Sequence, residues 1–458
     1  MTMTAEARPI SAQPARGQPA RTAAETAFAS TFAAVKAELP GSAAFAARRE
    51  EAFGRFADAG LPHRRVEEWR YTDLRRLMRE MAPLAATPAT KLEKAPEAAG
   101  LLAAVECRKL YVVDGVFAPH LSDLADLEAG LTILSLADAL RDDAHVGGVA
   151  VSKRLGETFP CTDVMFALNA AFAAEGVVVH VAEGAELARP LELIHVNTGT
   201  EPVSMFTRSL VVLEKGAKAN LVESHEGPDG VAYQVHTALE LVVGEGAQLD
   251  RVKLTREGDA ALHISTVLLD IAASALVRTA GFMLGGAIVR NQTFAQLTGK
   301  EIHAVFGGVS LLGNRQHSDT SLAVEHLAPG CESGENFRAV LDDHARDVFQ
   351  GRIAVRREAQ QTDARMMTRA LLLSDTAEAD NKPELEIFAD DVQCAHGCTT
   401  GNLDEQVKFY LMARGIPEKE AEALLIQAFV GEVVDAIELE GVREALIGAT
   451  RSWLKERA

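Results

Sequence analysis

The side chains best suited to metal chemistry lie close together near the C-terminus, where Cys394, His396 and Cys398 alternate with small residues. Thiolate and imidazole groups are soft ligands for transition-metal ions. In a β-strand this alternation places all three side chains on one face, from which they could present ligands to a partner. The spacing is not the C-x-x-C pattern of structural zinc sites, which argues against an internal zinc site. A buried cysteine pair beside a surface histidine is the alternative interpretation.

A second polar group extends from His317 to Glu335 and includes Asp319, His326 and Cys331. A histidine and an aspartate two residues apart can act as an acid–base pair or as metal ligands. The same residues could equally be solvated at the surface. The sequence does not decide between these two interpretations.

The common catalytic signatures are absent from the chain. A phosphate-binding loop requires G-x-x-x-x-G-K followed by Ser or Thr. Here Gly299-Lys300 is followed by Glu301, and no glycine stands five positions before Gly299. The G-x-S-x-G elbow of hydrolases and the H-E-x-x-H helix of metalloproteases are also missing. These absences favour a scaffold role over catalysis.

Composition and charge argue against several classes of function. A formal net charge of -19 repels phosphate backbones and anionic membrane surfaces, so we expect no nucleic-acid or membrane partner. No apolar run reaches the ~18 residues that a membrane-spanning helix needs. The five cysteines are too few and too scattered for a disulfide framework, which favours a reducing cytoplasm.

Composition and hydrophobic pattern divide the sequence into four parts. Residues 1–22 are predicted to be a disordered tail because they lack large apolar residues. Residues 23–104 are predicted to form a helical domain followed by a linker rich in Ala, Pro and Lys. Residues 105–399 carry β patterns with a lead-in segment, and residues 400–458 are again predicted to be helical.

A recurring unit in the β region predicts the fold class. Short β runs lead into turn triplets made of a charged residue, Gly and Ala, and a degenerate fourth triplet follows. The triplets are residues 183–185, 215–217, 245–247 and 272–274. Units at a nearly constant period indicate stacked coils, since each unit buries its apolar face only against its neighbours. An antiparallel β-sandwich with similar hairpins is the alternative.

The C-terminal part is predicted to contain three helices. Asn402 or Asp404 can cap the first, which ends at Gly415, and Pro417 suits the first turn of the second. The last helix is expected over residues 442–455. Large apolar residues on the first two helices include Phe409, Tyr410, Leu424 and Phe429.

Several stretches resemble the SufB/SufD family of iron–sulfur cluster assembly proteins. The longest, residues 382–416, is similar to the C-terminal signature of the family. Residues 317–333, 348–364 and 371–374 resemble the same family. Some N-terminal stretches resemble the SufD branch of the family rather than the SufB branch, namely residues 60–74, 111–124 and 166–169.

The resemblance implies a mainly β fold, with a right-handed parallel β-helix core (a β-solenoid) between N-terminal and C-terminal α-helical domains. It implies a scaffold subunit, not an enzyme by itself, that pairs with a SufB-like paralogue. Whether a homodimer forms when SufB is absent stays open at this point. A SufC-like ABC ATPase would dock on the C-terminal helices, where we expect contacts from Phe409, Tyr410, Leu424 and Phe429. An iron–sulfur cluster would form transiently at the SufB interface, with no cofactor held stably by the isolated chain.

Within the signature, His396 matches the family position implicated in cluster assembly at the interface, and Cys394 matches a neighbouring family cysteine. Cys398 stands where the family has a small residue such as Ala. It is either an additional ligand or a neutral replacement, and we favour the second. The family's Lys-Cys-Ser-His is Gln393-Cys394-Ala395-His396 here. Without the basic neighbour, Cys394 is expected to be a less activated thiolate.

Two other functions are compatible with the sequence. A stand-alone β-solenoid enzyme, carbohydrate-active or acyl-transferring, would use His317 and Asp319 in an exposed groove. The SufB paralogue is the other possibility, and the SufD-like N-terminal stretches argue against it.

Overall fold

The computed structural model describes residues 21–85, 94–95, 102–103, 105–156 and 161–456. The predicted tail, residues 1–22, lies outside this part of the chain except at its very end. Much of the predicted linker before residue 105 also lies outside it.

Helices form the first described part of the chain. They are α1 (Ala23–Val35), α2 (Ala43–Ala59) and α3 (Leu74–Leu77), with a 3₁₀ turn at Glu67–Trp69. α1 begins after Thr22, whose side chain and backbone exchange hydrogen bonds with Glu25 in a capping box. Apolar side chains of α1 and α2, among them Phe28 and Phe56, are buried against each other and against the β core.

Short elements then lead into the solenoid. They are β1 (Arg108–Val113), β2 (Val116–Phe117), β3 (Leu131–Ser135), α4 (Leu136–Arg141), β4 (His145–Val146), β5 (Val149–Ala150), α5 (Val151–Arg154) and α6 (Val164–Phe172). An Asp-Gly turn joins β1 and β2, where Asp114 and Gly115 both have positive φ. β1 and β2 pair antiparallel, and β3 pairs antiparallel with the first solenoid strand.

The solenoid strands follow in regular succession. They are β6 (Val177–Val181), β7 (Leu191–Val196), β8 (Ser204–Leu213), β9 (Lys218–Glu226), β10 (Gln234–Val243), β11 (Gln248–Arg256), β12 (Leu262–Ile271), β13 (Leu276–Met283), β14 (Ile288–Leu297), β15 (His303–Leu312), β16 (His317–His326), β17 (Glu332–Leu341), β18 (Arg346–Val355), β19 (Thr362–Leu372), β20 (Glu378–Ile387) and β21 (Val392–Gly401).

All described strands except β4 and β5, which pair with each other, form two long sheets. The ten-stranded sheet has the order β2-β1-β7-β9-β11-β13-β15-β17-β19-β21, and the nine-stranded sheet has the order β20-β18-β16-β14-β12-β10-β8-β6-β3. Because the chain alternates between the sheets, each solenoid strand pairs in parallel with the strand one coil later, as β10 does with β12 and β11 with β13. The predicted β-solenoid is therefore confirmed, and the antiparallel sandwich is wrong.

The predicted turn triplets stack above one another along one corner of the solenoid. Gly184, Gly216 and Gly246 have φ values of 68°, 67° and 65°, a conformation that glycine adopts without strain. In the fourth coil Ser274 takes the position of the glycine, with a φ of 57°, so this turn is residues 273–275, one residue later than the predicted 272–274. The backbone N–H of Gly184 donates to the Lys215 carbonyl at 2.9 Å, so the corner has its own ladder of hydrogen bonds.

Aliphatic side chains from both sheets fill the lumen between them, including Val211, Leu241, Leu249 and Leu269. The outer face of the nine-stranded sheet packs under the N-terminal helices and α6, with contacts through Phe206. Burial of these apolar faces supplies the main stabilisation of such stacked coils.

Three C-terminal helices cover the outer face of the ten-stranded sheet. They are α7 (Glu405–Ala413), α8 (Glu418–Val434) and α9 (Glu440–Glu456). Ile426 and Val430 of α8 pack on Val252 and Val309 of the sheet. The helical part begins later than the predicted residue 400, because β21 extends to Gly401.

Candidate functional site

The last coil of the solenoid, β20 and β21, leaves the structure open at one end. β20 terminates the nine-stranded sheet and β21 terminates the ten-stranded sheet. Within the described residues, no strand pairs with the far edge of either one. Ile387 and Phe388 at the end of β20 are 42% and 55% exposed. Unpaired strand edges beside exposed apolar side chains are a surface suited to pairing with another chain.

Cys394, His396 and Cys398 form a row on this last coil, which we call the terminal row. They are in register with Ala364, Met366 and Thr368 of β19. Ala364 and Met366 lie in the buried lumen, so the terminal row points toward the solenoid axis at its open end. Cys394 is half-buried, whereas His396 and Cys398 are exposed. The single face expected from the alternation is present, and the alternative of a buried cysteine pair is wrong.

The electrostatic environment of Cys394 disfavours its thiolate. Burial raises the pKa of the Cys394 thiol, and the carboxylates of Asp363 and Glu335 raise it further. Glu335 belongs to the same lumen-facing row, since it is in register with Met366 and, through it, with His396. Burial raises the pKa of Glu335 itself to about 8. Cys394 is therefore mainly a protonated thiol at neutral pH, which is a weak nucleophile.

The residues expected to dock a partner on the C-terminal helices divide into two sets. Phe409 and Tyr410 on α7 are 72% and 56% exposed, and Leu424 on α8 is 43% exposed. Phe429 is different, because it packs against the chain's own C-terminal core and lies under the Arg338 guanidinium, 5.6 Å from the ring centre. The first three are accessible to a partner, and Phe429 mainly holds α8 on the sheet.

His317 and Asp319 lie under the N-terminal segment, not in an exposed groove. Asp319 is fully buried and accepts hydrogen bonds from the Thr72 hydroxyl and the Arg290 guanidinium. The Nε2 atom of His317 lies 2.8 Å from the same hydroxyl. Arg290 also stacks on Trp69, with 3.8 Å between the guanidinium and the ring centre. These four polar residues, which we call the His317 group, fasten the N-terminal segment to the nine-stranded sheet.

The other members of the second polar group are not brought together with His317. The Nε2 atom of His326 lies 3.0 Å from the Ser333 hydroxyl, and both residues are buried. Cys331 is buried in the lumen core. The interpretation of this segment as one catalytic site of a solenoid enzyme is therefore not supported by the packing.

The lumen contains a cluster of charged and imidazole side chains that the sequence patterns did not predict. We call it the lumen cluster, and its members are His195, Glu223, His225, Arg251, Lys253, Glu257 and His263, each at most 9% exposed. Glu223 forms an ion pair with Arg251, and Lys253 donates a hydrogen bond to Nε2 of His263 at 2.8 Å. Burial lowers the pKa of Lys253 to about 7 and raises that of Glu257 to about 7.

The signal for the lumen cluster was present in the spacing of the strands. His195, His225 and Thr255 occupy one register position on successive strands, and Glu223 is in register with Lys253. In a solenoid the inward positions alternate along each strand, so aligning the coils by their turn triplets would have shown polar residues at inward positions.

Helices that could cross a membrane are not found in the described part of the chain.

Comparison with known proteins identifies the family. The model of the SUF system FeS cluster assembly SufBD core domain matches residues 195–429, and the model of the SufBD protein N-terminal region matches residues 23–193. Together these matches span the lead-in elements, the solenoid and the first C-terminal helices.

Relatives of known name agree with this assignment. The iron–sulfur cluster assembly protein SufD of Escherichia coli is 30% identical over 392 residues, which are 85% of this chain and 88% of the relative. A SufBD family iron–sulfur cluster assembly protein of Synechocystis is 29% identical over 410 residues, which are 87% of this chain and 89% of the relative. The chloroplastic protein ABCI7 of Arabidopsis thaliana is 30% identical over 305 residues, 64% of this chain and 63% of the relative. The chain belongs to the SufB/SufD family of iron–sulfur cluster assembly proteins and is a homologue of SufD.

Proposed function

We propose that this chain is a non-catalytic scaffold subunit that pairs with a SufB-like paralogue through its open end and binds a SufC-like ABC ATPase through its C-terminal helices. The iron–sulfur cluster is the cargo of the complex and forms at the paired ends. His396 and Cys394 contribute there, and Cys398 is a neutral neighbour.

The observation that carries the proposal is the last coil. Its two strands end the two sheets without a further partner among the described residues. The terminal row lies on the inward face of the second of these strands, β21. A second solenoid docked on these edges would extend both sheets and enclose His396, which is exposed in the isolated chain. Ligands from both chains could then meet at one place.

The state of Cys394 supports a role in holding a cluster over a role in attacking a sulfur donor. Its raised pKa keeps the thiol protonated, and thiolate is the nucleophilic form. Arriving iron would displace the proton, since metal ligation favours the deprotonated thiol. Within the part of the chain that the structure describes, the terminal row supplies one histidine and two cysteines, so we expect the isolated chain to hold no cluster stably.

The C-terminal helices support the docking of the ATPase. α7 presents Phe409 and Tyr410 to solvent, and α8, which contacts α7, presents Leu424. Exposed aromatic side chains of this kind are typical anchors of protein–protein interfaces. All five cysteines are free thiols, which supports a reducing compartment, and we place the complex in the cytoplasm.

The test is anaerobic co-expression with the paralogue and the ATPase of the same organism, followed by affinity isolation of this chain and measurement of iron and acid-labile sulfide. His396→Ala should leave the complex assembled and lower iron and sulfide at least about 10-fold, because one cluster ligand is lost. His303→Ala is the matched control, since His303 is 55% exposed on a strand in the middle of the solenoid. Equal cluster yields from the two variants would refute the assignment of His396.

The same isolation tests the docking surface for the ATPase. Phe409→Glu should release the ATPase and retain the paralogue, because it places a charge in a desolvated aromatic contact. Val149→Glu introduces the same charge at another exposed apolar residue, 39% exposed and far from the C-terminal helices in sequence, and should retain both partners. ATPase that still co-elutes with the Phe409 variant would contradict this docking surface. A chain that elutes without either partner would reject the proposed function as a whole.

A further inference from the structure

Three buried side chains in the lumen cluster bring metal-binding atoms together from both sheets. His225 lies on β9, Glu257 follows β11 and His263 lies on β12. One ligand atom from each lies within 4.8 Å of the other two. Atoms bound to one first-row metal ion stand about 3 to 4 Å apart, so side-chain shifts of about 1 Å would close the set.

His225 lacks the hydrogen bonds that a buried imidazole normally makes. It is fully buried, and neither of its ring nitrogens has a hydrogen-bond partner among the described residues. Its ring is stacked on that of His195, with ring centres 4.3 Å apart, which fixes the plane in which its nitrogens lie. A buried polar atom without a partner destabilises the fold. A bound metal ion would give one of these nitrogens a partner.

Glu257 and His263 are held by hydrogen bonds on the atoms that face away from each other. The Tyr233 hydroxyl donates to Oε2 of Glu257 at 2.6 Å, and the Lys253 amine contacts Nε2 of His263 at 2.8 Å. The remaining atoms, Oε1 of Glu257 and Nδ1 of His263, lie 3.0 Å apart. Partners on the outer atoms orient ligands in this way in metal sites of proteins.

We propose that His225, Glu257 and His263 bind one first-row divalent transition-metal ion in the lumen, either zinc or ferrous iron. Two imidazoles and one carboxylate are a ligand set that these ions use, whereas calcium and magnesium prefer oxygen ligands alone. Binding at Nδ1 of His263 displaces the proton between that atom and Glu257, and the Lys253 ammonium passes a proton to Nε2, so that the ring stays a neutral imidazole and Lys253 becomes a neutral amine. One proton therefore leaves the cluster for each ion bound. The ion would join strands of the two sheets across the lumen.

A small cavity lies beside the lumen cluster. A cavity of about 20 Å³ borders His195 and Glu257 and is also lined by Asn197 and Glu226. Glu226 is only half-buried, whereas His195 and Glu257 are buried. The site is separate from the terminal row, and this inference does not depend on the proposed function.

The test uses the full-length chain with the terminal row removed, carrying Cys394→Ser, His396→Ala and Cys398→Ser, so that exposed ligands do not contribute. The protein is unfolded, freed of metal with a chelator, and refolded with Co²⁺, Zn²⁺ or, anaerobically, Fe²⁺. We expect one equivalent of Co²⁺ with visible absorption bands of four- or five-coordinate cobalt. Displacement of Co²⁺ by Zn²⁺ and by Fe²⁺ then shows which ion the site prefers.

Matched variants locate the bound ion. In this background His225→Gln and Glu257→Gln should each weaken Co²⁺ binding at least about 100-fold, because each removes one of three ligands. His236→Gln is the control: His236 is equally buried and its ring nitrogens also lack partners, but it is stacked on Phe206 outside the lumen. It should bind Co²⁺ like the parent.

Two results would overturn the proposal. One is less than half an equivalent of Co²⁺ bound by the refolded parent. The other is equal loss of binding in the His225 and His236 variants. If the variants do not fold, crystals of the unsubstituted chain grown with Zn²⁺ decide the matter. An anomalous peak between the three side chains supports the site, and a peak only at the terminal row, or no peak, refutes it.

Discussion

The His317 group and the terminal row both lie on strands of the same solenoid, but they differ in how far the rest of the chain covers them. Asp319 is fully buried and bound by Arg290 and Thr72, and the whole group is covered by the N-terminal segment. His396 is exposed on the last strand, where no further coil covers it. Buried polar groups that bond to a second segment hold a fold together, whereas exposed potential ligands at an uncovered end are available to a partner.

The largest effect expected from this contrast is on stability. Asp319→Ala leaves the buried charge of Arg290 without its partner, and we expect a loss of about 3–5 kcal/mol in the free energy of unfolding. Glu245→Ala removes a partner from the exposed pair of Lys215 and Glu245, which are 60% and 58% exposed, and serves as the control. It should cost less than about 1 kcal/mol. Denaturant unfolding of the isolated chain measures both, and similar losses would remove the distinction.

Sequence patterns were sufficient for the fold because its signals are local. Gly184, Gly216 and Gly246 recur at turn positions, and their positive φ values confirm the corner that the triplets predicted. The C-terminal cap was likewise local, since the side chain of Asp404 accepts hydrogen bonds from the first turn of α7. The alternation of Cys394 and its neighbours placed the terminal row on one face for the same reason.

The environment of a side chain was not predictable in the same way. His317 is covered because Thr72, 245 residues earlier in the chain, packs against it. The members of the lumen cluster face inward by the alternation along each strand, but which of them meet depends on the register between successive coils, for example between His195 and His225. Both facts depend on contacts between distant segments, which composition and spacing within one segment do not encode.

A second prediction concerns the lumen row that leads to the open end. Burial raises the pKa of Glu335 in the folded chain to about 8, above the ordinary value of 4.5 that it regains on unfolding. The folded state therefore binds the extra proton, and its stability falls as the pH rises between these two values. Glu335→Gln should remove this fall and stabilise the chain by on the order of 2 kcal/mol near pH 8.5, with little change near pH 5.

Unfolding curves across this pH range provide the measurement for Glu335. Glu332→Gln is a suitable control, because Glu332 is 62% exposed on the same strand and pairs only with the exposed His303. Its substitution should leave the pH profile of the parent unchanged. A Glu335 variant that keeps the full pH dependence of the parent would show that another group is responsible.

The smallest predicted effect is a difference in partner affinity between variants at the two ends of one sheet. β20 and β3 are the terminal strands of the nine-stranded sheet, but β3 is antiparallel to its neighbour and packs beside helical lead-in elements. Ile387→Lys on β20 should weaken binding of the paralogue about 10-fold, or about 1.4 kcal/mol, because a charge must be desolvated at the paired edge. Thr132→Lys places the same charge at an exposed position of β3 and should leave binding unchanged.

Titration of each variant with the purified paralogue measures both affinities. If Thr132→Lys weakens binding as much as Ile387→Lys, the two ends do not differ as partner surfaces, and the open end loses its special role.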